Sequence, residues 1–398
     1  MARIDVFNGD ADGICALAQL RLAEPHEATL VTGVKRDIAL MDRVDAEAGD
    51  QVTVLDVSLD KNRAGLERVL QAGASVFYVD HHFAGDIPVS TGLTAIINEA
   101  SDVCTSLLVN GHLKNRFLAW AIVGAFGDNL KASAETMARH MDLSETQLRK
   151  LEDLGTYMNY NGYGEKIEDL HFTPEELYLH VSRYLTPFTF MEDAKEAFGK
   201  LEDGYKTDMG KAESTRPEPV STEHAALFIL PCEAWARRVS GVYSNDLANQ
   251  SPDRAHAVLT EKADGNYLIS VRAPLNRKTG ADELCRQFPT GGGVPRRRAS
   301  TTCRPTSSAP SPRPSRGSSR SESGPETEPA RLMAAAGFLL PAWWPSLPRQ
   351  RIGFPAVARV RQPGKGFPTG KAGSRPRAIQ VFNTPHRFHA VHRYRSSV

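Results

Sequence analysis

The chain has 398 residues, enough for two or three domains that each bury a core of their own. Its formal net charge of +1 hides two opposite halves, because residues 294–398 carry 17 Arg, 2 Lys and 3 Glu, a balance of +16, and residues 1–293 carry −15. An acidic body argues against broad electrostatic binding of duplex DNA, so we expect no stable duplex DNA partner.

The five cysteines are widely spaced and include no C-x-x-C pair, which favours a reducing compartment over a disulfide framework or a zinc ribbon. No apolar run reaches membrane-spanning length, and no signal peptide precedes the first predicted strand. We therefore expect a soluble cytoplasmic protein that has no membrane partner.

The first 130 residues alternate strand and helix patterns. Their nearly all-apolar strands predict a parallel sheet with helices on both faces, the α/β class. Ligands bind such sheets at the carboxyl ends of the strands. The predicted strands are Arg3–Phe7, Thr29–Val34, Val52–Asp56 and Ser75–Asp80, and the predicted helices are Asp12–Ala23, Ile38–Ala48 and Asn62–Ala72.

A mostly helical stretch follows from Cys104 to Phe198, and the aromatic, Gly-rich run Tyr157–Gly164 favours a packed helix end over a base-stacking surface. Charged residues, Gly and Pro then replace apolar residues, which predicts a linker at 200–222. A second, smaller α/β unit comes next. Its predicted elements are a strand at Ala225–Leu230, a helix at Glu233–Ala248, a hairpin of His256–Leu259 with Tyr267–Ala273, and a helix at Thr279–Phe288.

The last part of the chain, residues 294–398, holds 15 of the 25 prolines and sustains no helical or strand period. This composition predicts a disordered basic tail. The alternative is that this segment is translated out of frame. If the wobble bases are chosen freely and the DNA from Gly293 onward is read from the third base of each codon, it can encode Arg-Ala-Ala-Ala-Gly-Val. Sequencing the DNA around codon 293 distinguishes the two. The predicted domains are therefore 1–199, 223–293 after the linker, and the tail.

Acidic and histidine clusters follow short apolar runs at four places, which we interpret as strand ends. Each has a simpler explanation, since Asp-x-Asp-Gly is commonly a turn or a helix N-cap and a lone Asp is often a salt-bridge partner or helix end. Their conjunction at one sheet edge instead favours a site for divalent metals and phosphate chemistry. The clusters are Asn8–Gly13, Leu55-Asp56, Asp80-His81-His82 and Gly127-Asp128.

These four motifs resemble those of the DHH phosphoesterase superfamily, which includes RecJ-like exonucleases, oligoribonucleases, cyclic-dinucleotide phosphodiesterases and manganese pyrophosphatases. The resemblance covers residues 1–293. It implies a parallel-sheet catalytic domain with a helical extension in residues 1–199, followed by an incomplete α/β substrate domain. It also implies two divalent cations, with Mn²⁺ preferred and Mg²⁺ as the alternative.

The resemblance also assigns roles to individual residues. Many members carry a His four residues before the first motif's Asp, where this chain has Val6. The first cation would then be held more weakly, with help from Asn8 or water. The implied roles are Asp10 on one cation, Asp12, His81 and Asp128 on the other, Asp56 bridging both, His82 facing the substrate or leaving group, and Asp80 orienting an imidazole.

The region from residue 222 to 293 resembles the DHH-associated domain, which closes over the substrate. Arg272 matches an arginine that contacts a substrate phosphate in the family. The triplet Gly291, Gly292 and Gly293 would let backbone N–H groups approach a phosphate or base, although a flexible linker is a simpler explanation. In the family the triplet is followed by Ala-Ala-Gly, which this sequence lacks and the shifted frame restores.

The expected function is hydrolysis of short oligonucleotides or small phosphodiesters by a water activated between two metal ions. One alternative is a pyrophosphatase or polyphosphatase, although the acidic body offers few basic residues to line such a cleft. The other is a catalytically impaired nucleotide- or metal-binding protein. The sequence leaves the natural substrate open, and it leaves open whether the protein forms a homodimer.

Overall fold

A computed structural model describes residues 1–277, 279–285, 292–294 and 298–303. Gly291 and almost all of the predicted tail lie outside the described residues. The α/β class is confirmed, because the described chain builds two five-stranded sheets with helices between and around them.

The first sheet is parallel throughout, with strand order β2-β1-β3-β4-β5. The chain leaves β1 towards β2 on one side and returns to β3 on the other, so the strand order reverses at β1. In open parallel sheets this reversal opens a crevice at the carboxyl ends of the strands. The strands are β1 (Arg3–Phe7), β2 (Thr29–Val31), β3 (Gln51–Leu55), β4 (Ser75–Asp80) and β5 (Leu93–Ile97).

Helices cover both faces of this sheet, as its apolar strands predicted. Along β1, Val6 faces a core formed with α2 (Leu59–Gln71), and Phe7 faces a core formed with α1 (Ala11–Ala23). On the α1 side, Arg21 pairs with the buried Asp5 through two hydrogen bonds of 2.8 and 2.6 Å. Val6 itself is fully buried among aliphatic residues.

The helical extension packs on the α1 side of the sheet. Its α4 is almost wholly buried and lies against both α1 and α6. The predicted packed helix end near Tyr160 is confirmed, because the last five residues of α6 are buried. The helices are α3 (Thr105–His112), α4 (Leu118–Gly127), α5 (Lys131–Ala138), α6 (Glu145–Asn161), α7 (Pro174–Val181), α8 (Pro187–Asp193) and α9 (Lys195–Glu213).

The helix predicted at Ile38–Ala48 is wrong, since only Leu40–Arg43 is helical there, as a short 3₁₀ turn. Side chains of α2 take the place of the missing helical hydrogen bonds. The Asn62 amide accepts from the Met41 N–H at 3.0 Å and donates to the Ile38 carbonyl at 2.6 Å. Apolar residues at helical spacing therefore mark the core here without forming a helix.

The linker predicted from residue 200 is also wrong over its first part, because α9 continues to Glu213. Few residues of this segment are apolar, but Leu201, Met209 and Ala212 recur on one buried face of α9. Sparse apolar residues at this spacing are enough to anchor a helix by tertiary packing.

The second sheet has the order β6-β7-β8-β10-β9, with β6 and β7 parallel and the other neighbours antiparallel. Gly265, with a φ of 77°, makes the predicted turn between β7 and β8. The elements are β6 (Ala225–Leu230), α10 (Ala234–Gln250), β7 (Ala255–Glu261), β8 (Tyr267–Arg272), α11 (Ala281–Cys285), β9 (Gly292–Val294) and β10 (Arg298–Cys303).

This sheet continues past Gly293, beyond the predicted boundary of the second unit. Arg298–Cys303 pairs with the whole of β8, a position that its β-favouring threonines suit. The prediction for residues 304–398 stays a prediction. Among the described residues, no helix is long and apolar enough to cross a bilayer.

Candidate metal centre

Asp10 lies in the turn that leads from β1 into α1, and it caps that helix. Its Oδ1 accepts hydrogen bonds from the backbone N–H groups of Asp12 at 3.0 Å and Gly13 at 3.1 Å. Gly9 allows the turn to lie against the loop after β2, because a Cβ there would collide with the Gly33 carbonyl oxygen. The simple N-cap interpretation of Asp-x-Asp-Gly is therefore correct for this oxygen, and Oδ2 contacts other residues of the site.

Asp12 is buried in the first turn of α1 and reaches the start of α3. Its carboxylate accepts the backbone N–H groups of Thr105 at 2.8 Å and Ser106 at 2.7 Å. Unpaired N–H groups at a helix N-terminus favour a negative charge. The helical extension thus fixes the orientation of this carboxylate.

Asp56 follows β3 with a φ of 58°, in the left-handed region that few non-glycine residues adopt. Its backbone N–H donates to the Val79 carbonyl at 3.1 Å, and its Oδ1 accepts from the Thr105 hydroxyl at 3.2 Å. Such a backbone conformation costs about 1–3 kcal/mol and persists where the surroundings fix it, as they often do in functional sites.

His81 follows β4 and points its Nε2 into a group of carboxylates. Because Nδ1 lies 3.0 Å from the Val103 carbonyl, which can only accept, Nδ1 carries the proton. A cation bound at Nε2 would need the neutral ring, in which Nε2 has a lone pair. Nε2 lies 3.3 Å from an oxygen of Asp56, 3.8 Å from one of Asp12 and 3.9 Å from one of Asp128.

His82 turns the other way and pairs with Asp80, whose Oδ1 lies 2.8 Å from its Nδ1. Burial alone would raise the pKa of Asp80, but the hydrogen bond and charge of His82 lower it on balance. Donor atoms of Asp56, His81 and His82 all lie within 4.8 Å of one another. Since the Nδ1 of His82 is engaged by Asp80, we consider Asp12 and Asp128 better partners for a cation at His81.

Asp128 joins the site from a helix, which corrects our interpretation of the apolar run before Gly127-Asp128 as a strand. This apolar run lies within α4, and Asp128 is the residue at its C-terminal end. A fully buried helix and a buried strand give the same apolar pattern over eight residues. The side chain of Asp128 is 16% exposed, so it lies near the mouth of the site.

Lys35, in the loop after β2, is a site residue that our sequence analysis missed. Its Nζ contacts Asp10 Oδ2 and lies 2.9 Å from Asn159 Oδ1 and 3.8 Å from Asp128 Oδ1. One sequence signal could have revealed it: Lys35-Arg36 follows a predicted strand, as the acidic clusters do, and parallel strands end at the same sheet edge.

Burial and mutual repulsion dominate the electrostatics of the site. Burial, followed by the charges of Asp12 and Asp10, raises the pKa of Asp56 well above its usual range. Burial opposes a charged His81, yet the hydrogen bond to Asp56 and the surrounding carboxylates raise its pKa. Burial would also raise the pKa of Asp10, but Lys35 lowers it on balance.

These residues fit one divalent cation beside His81. Hard oxygen donors with one imidazole suit Mn²⁺ or Mg²⁺, and the Nδ1 hydrogen bond to a carbonyl is the usual way to orient a metal-binding histidine. A cation there would also relieve the repulsion among Asp12, Asp56 and Asp128. Around Asp10, the Lys35 ammonium contacts Oδ2, the oxygen that a second cation would use.

Arg272, our predicted phosphate-binding residue, is buried between β8 and α10. Its Nε donates to Asn245 Oδ1 at 2.8 Å, and its Nη2 donates to the Gly241 carbonyl at 3.3 Å. Gly241 packs directly against the Tyr163 ring, which lies 5.3 Å from the Lys35 Nζ. Arg272 thus supports the wall of the site through α10.

The glycine triplet is only partly described. Gly292 and Gly293 pair with Ser300 and Ala299 in the β9–β10 ladder, whereas Gly291 lies outside the described residues. Their substrate role stays a prediction.

No protein-family model matches the sequence, and no curated protein sequence matches it. Solved structures do. RecJ of Thermus thermophilus in complex with Mn²⁺ is 15% identical, with a TM-score of 0.50, over 75% of this chain and 49% of the RecJ chain. An exonuclease RecJ bound to manganese is 16% identical with a TM-score of 0.46, over 75% of this chain and 85% of that one. CDC45 of Entamoeba histolytica is 7% identical with a TM-score of 0.44, over 76% of this chain and 92% of that one.

The chain has the RecJ fold. The fold that the DHH resemblance implied is therefore confirmed, and this chain spans about half the length of Thermus RecJ. At 15% identity the likeness establishes the fold alone, so the chemistry of the RecJ-like site must be argued from its own residues.

Proposed function

We propose that this RecJ-like chain is a divalent-metal-dependent phosphoesterase that hydrolyses short oligonucleotides or small phosphodiesters. The observation that carries the proposal is the gathering of Asp12, Asp56 and Asp128 around the Nε2 atom of His81. A bound cation would lower the pKa of a water molecule and neutralise charge on the phosphoryl oxygens. The Thermus RecJ structure is a complex with Mn²⁺, which supports the choice of ion, with Mg²⁺ as the alternative.

We assign proton transfer to His82, held by Asp80. The lowered pKa of Asp80, achieved against its burial by the His82 hydrogen bond, keeps this carboxylate ionised and accepting. It therefore fixes the Nδ1–H of His82 and leaves Nε2 to meet the leaving-group oxygen. The side chain of His82 is 37% exposed, which gives a substrate access to it. Asp80 also stabilises the imidazolium form of His82, whose Nε2–H would donate its proton to that oxygen as it leaves.

Arg36 is our candidate for binding a phosphate beside this centre. Its guanidinium lies 5.2 Å from the centre of the Tyr163 ring and donates to the Ser240 hydroxyl at 3.3 Å. Its Nη1 is buried and has no hydrogen-bond partner within the described part of the chain. Arg36 also lines a cavity of about 380 Å³, together with the basic Lys166 and the acidic Asp37, Glu165 and Glu168. A substrate phosphate that reached Nη1 there would give this donor a partner.

The test is hydrolysis by the full chain of short RNA, short DNA, a cyclic dinucleotide and pyrophosphate, each with added Mn²⁺. We expect phosphodiester hydrolysis that a chelator abolishes and Mn²⁺ restores. The variant His81→Gln should lose at least about a hundredfold in kcat/KM because it removes a metal ligand. His140→Gln, a change at an exposed histidine, should retain activity and serves as the matched control.

Other outcomes would select a rival. Hydrolysis of pyrophosphate without hydrolysis of any diester would identify a pyrophosphatase. Folded, Mn²⁺-bound protein that turns over none of these compounds would contradict the enzymatic proposal and leave a metal- or nucleotide-binding protein.

A further inference from the structure

Lys35 lies where the DHH resemblance would put a cation. Its Nζ contacts Asp10 Oδ2 and bridges towards Asp128 Oδ1 at 3.8 Å. The other oxygen of Asp10 is already engaged by two backbone N–H groups of α1. The ammonium is therefore the cationic partner of the only Asp10 oxygen left for the site.

The surroundings hold this ammonium in place. The Asn159 amide oxygen accepts from its Nζ at 2.9 Å, and the Lys35 backbone N–H donates to the Gly162 carbonyl at 2.8 Å. The Asn8 amide donates to the Lys35 carbonyl at 3.3 Å. With its side chain only 17% exposed, Lys35 is fixed by α6 and by the turn after β1.

The surroundings of Asp10 also lack the imidazole that would help to hold a metal ion there. Val6 takes the position of the histidine that many DHH members have, and its side chain is fully buried in the aliphatic core on the α2 face. Asn8, the auxiliary ligand that we considered, donates its amide N–H to the Lys35 carbonyl and so holds the Lys35 loop, while its Oδ1 has no hydrogen-bond partner among the described residues. Asp10 therefore has a lysine where a metal would need further ligands.

A divalent ion on Asp10 would sit within a few ångströms of the Lys35 Nζ. Two like charges this close in a buried site repel strongly, since little water lies between them to screen the charge. Either the lysine leaves its hydrogen bonds to Asp10 and Asn159, or the second ion does not bind.

We propose that Lys35 is a built-in cation that replaces one metal ion, so that the chain binds a single divalent cation at Asp12, Asp56, His81 and Asp128. This inference rests on the proposed metal site but not on turnover. The ammonium supplies a fixed positive charge beside the reacting phosphate, where a pair of metal ions would otherwise share that charge. One cation per chain is our alternative to the two cations that the resemblance implied.

The experiment measures Mn²⁺ binding to the full chain by equilibrium dialysis with elemental analysis, and it records the electron paramagnetic resonance spectrum of the loaded protein. We expect one Mn²⁺ per chain and the hyperfine pattern of an isolated ion. Two ions per chain with an exchange-coupled spectrum would overturn the proposal, because metals about 3.5–4 Å apart couple magnetically. Neither readout depends on catalysis, so an inactive protein would not affect the outcome.

Variants test the lysine directly. Lys35→Gln removes the charge and should admit a second, weaker Mn²⁺ with a coupled spectrum, whereas Lys61→Gln, at an exposed lysine of α2, should still bind one. A Lys35→Gln protein that folds and still binds one ion would contradict the proposal.

A second pair of variants applies even if Lys35→Gln fails to fold. Asp10→Asn should change the Mn²⁺ affinity less than about threefold, whereas Asp128→Asn should weaken it at least about tenfold. Equal losses in the two variants would place Asp10 among the ligands and overturn the proposal.

Discussion

Two groups of buried carboxylates in this chain are compensated differently. At the junction of the helical extension with the second unit, Asp169 forms two hydrogen bonds with Arg237, at 2.8 and 2.6 Å. Asp208 likewise pairs with Arg238 at 2.6 Å. At the candidate metal centre, the carboxylates of Asp10, Asp12, Asp56 and Asp128 lie around two basic groups, Lys35 and His81.

This difference separates a structural role from a functional one. A carboxylate with its own arginine is satisfied when the chain folds and needs no ligand. Carboxylates that raise each other's pKa are held together at a cost to stability, which a bound cation can offset. Neutralising substitutions should therefore have opposite effects on stability in the two regions.

The largest effect is expected for Asp56→Asn in the metal centre. It should lower kcat/KM about a thousandfold, or about 4 kcal/mol of transition-state stabilisation, because it removes a central metal ligand. The metal-free protein should nevertheless melt at a higher temperature, since burial and the neighbouring Asp12 and Asp10 raise the pKa of Asp56. Calorimetry with and without Mn²⁺ checks this, and a lower melting temperature without metal would contradict it.

Removing an arginine at the junction should have the reverse effect. Arg237→Met leaves Asp169, 3% exposed, without its partner, and should cost about 3 kcal/mol in the free energy of unfolding. Urea denaturation measures this cost, and Mn²⁺ titration should show unchanged affinity. A loss of Mn²⁺ affinity larger than the loss of stability would mean that the two regions are coupled.

A smaller effect is expected for Asp80→Asn, since Asp80 is neither a proposed metal ligand nor the partner of an arginine. Asp80 has a single imidazole partner, so the variant should misorient His82 and lower kcat about 10–100-fold. Mn²⁺ affinity should change little, because His82 is not among the proposed ligands. Steady-state kinetics at saturating Mn²⁺ separates the two readouts, and an unchanged kcat would remove His82 from proton transfer.

The smallest effect is a pH dependence of stability from buried histidines outside the metal centre. Burial, then the nearby Arg238, lowers the pKa of His171 from 6.5 to about 4, and burial, then Arg254, lowers the pKa of His256 to about 4. Below pH 6.5 these two histidines bind protons in the unfolded chain but stay neutral in the folded chain until the pH approaches 4. Stability should therefore fall as the pH falls from 6.5 to about 4, by at most about 1.4 kcal/mol per pH unit for each histidine.

The variant His171→Gln keeps a polar partner for the Tyr160 hydroxyl and should flatten this dependence by the share of one histidine. Urea denaturation of both proteins at several pH values, without metal, measures it. An unchanged slope in the variant would contradict the assignment.

Several elements were predictable because their signal is local. The strands Arg3–Phe7, Ser75–Asp80 and Ala225–Leu230 have the bounds that the apolar runs predicted. The strand Leu93–Ile97 was missed: it lies at the sheet edge and is only partly buried, so it lacks the continuous apolar run of a central strand.

Local chemistry also located most of the candidate centre. Asp10, Asp12, Asp56 and His81 follow apolar strands, and a parallel sheet necessarily brings such strand ends to one edge. The sequence by itself therefore determined the α/β fold and the sheet edge at which these side chains would lie close together.

Only the tertiary structure decided the rest, because those features depend on contacts between distant segments. Asp128 lies at the end of a helix, and Asn62 supplies hydrogen bonds where a helix was predicted. Arg272 donates a hydrogen bond to the backbone of α10. Lys35 contacts Asn159 across 124 residues of chain, and its position after a predicted strand indicates the sheet edge but not these contacts. The acidic residues and His81 of the centre followed from residue types and spacing. The positive charge that Lys35 places among them followed only from the folded chain.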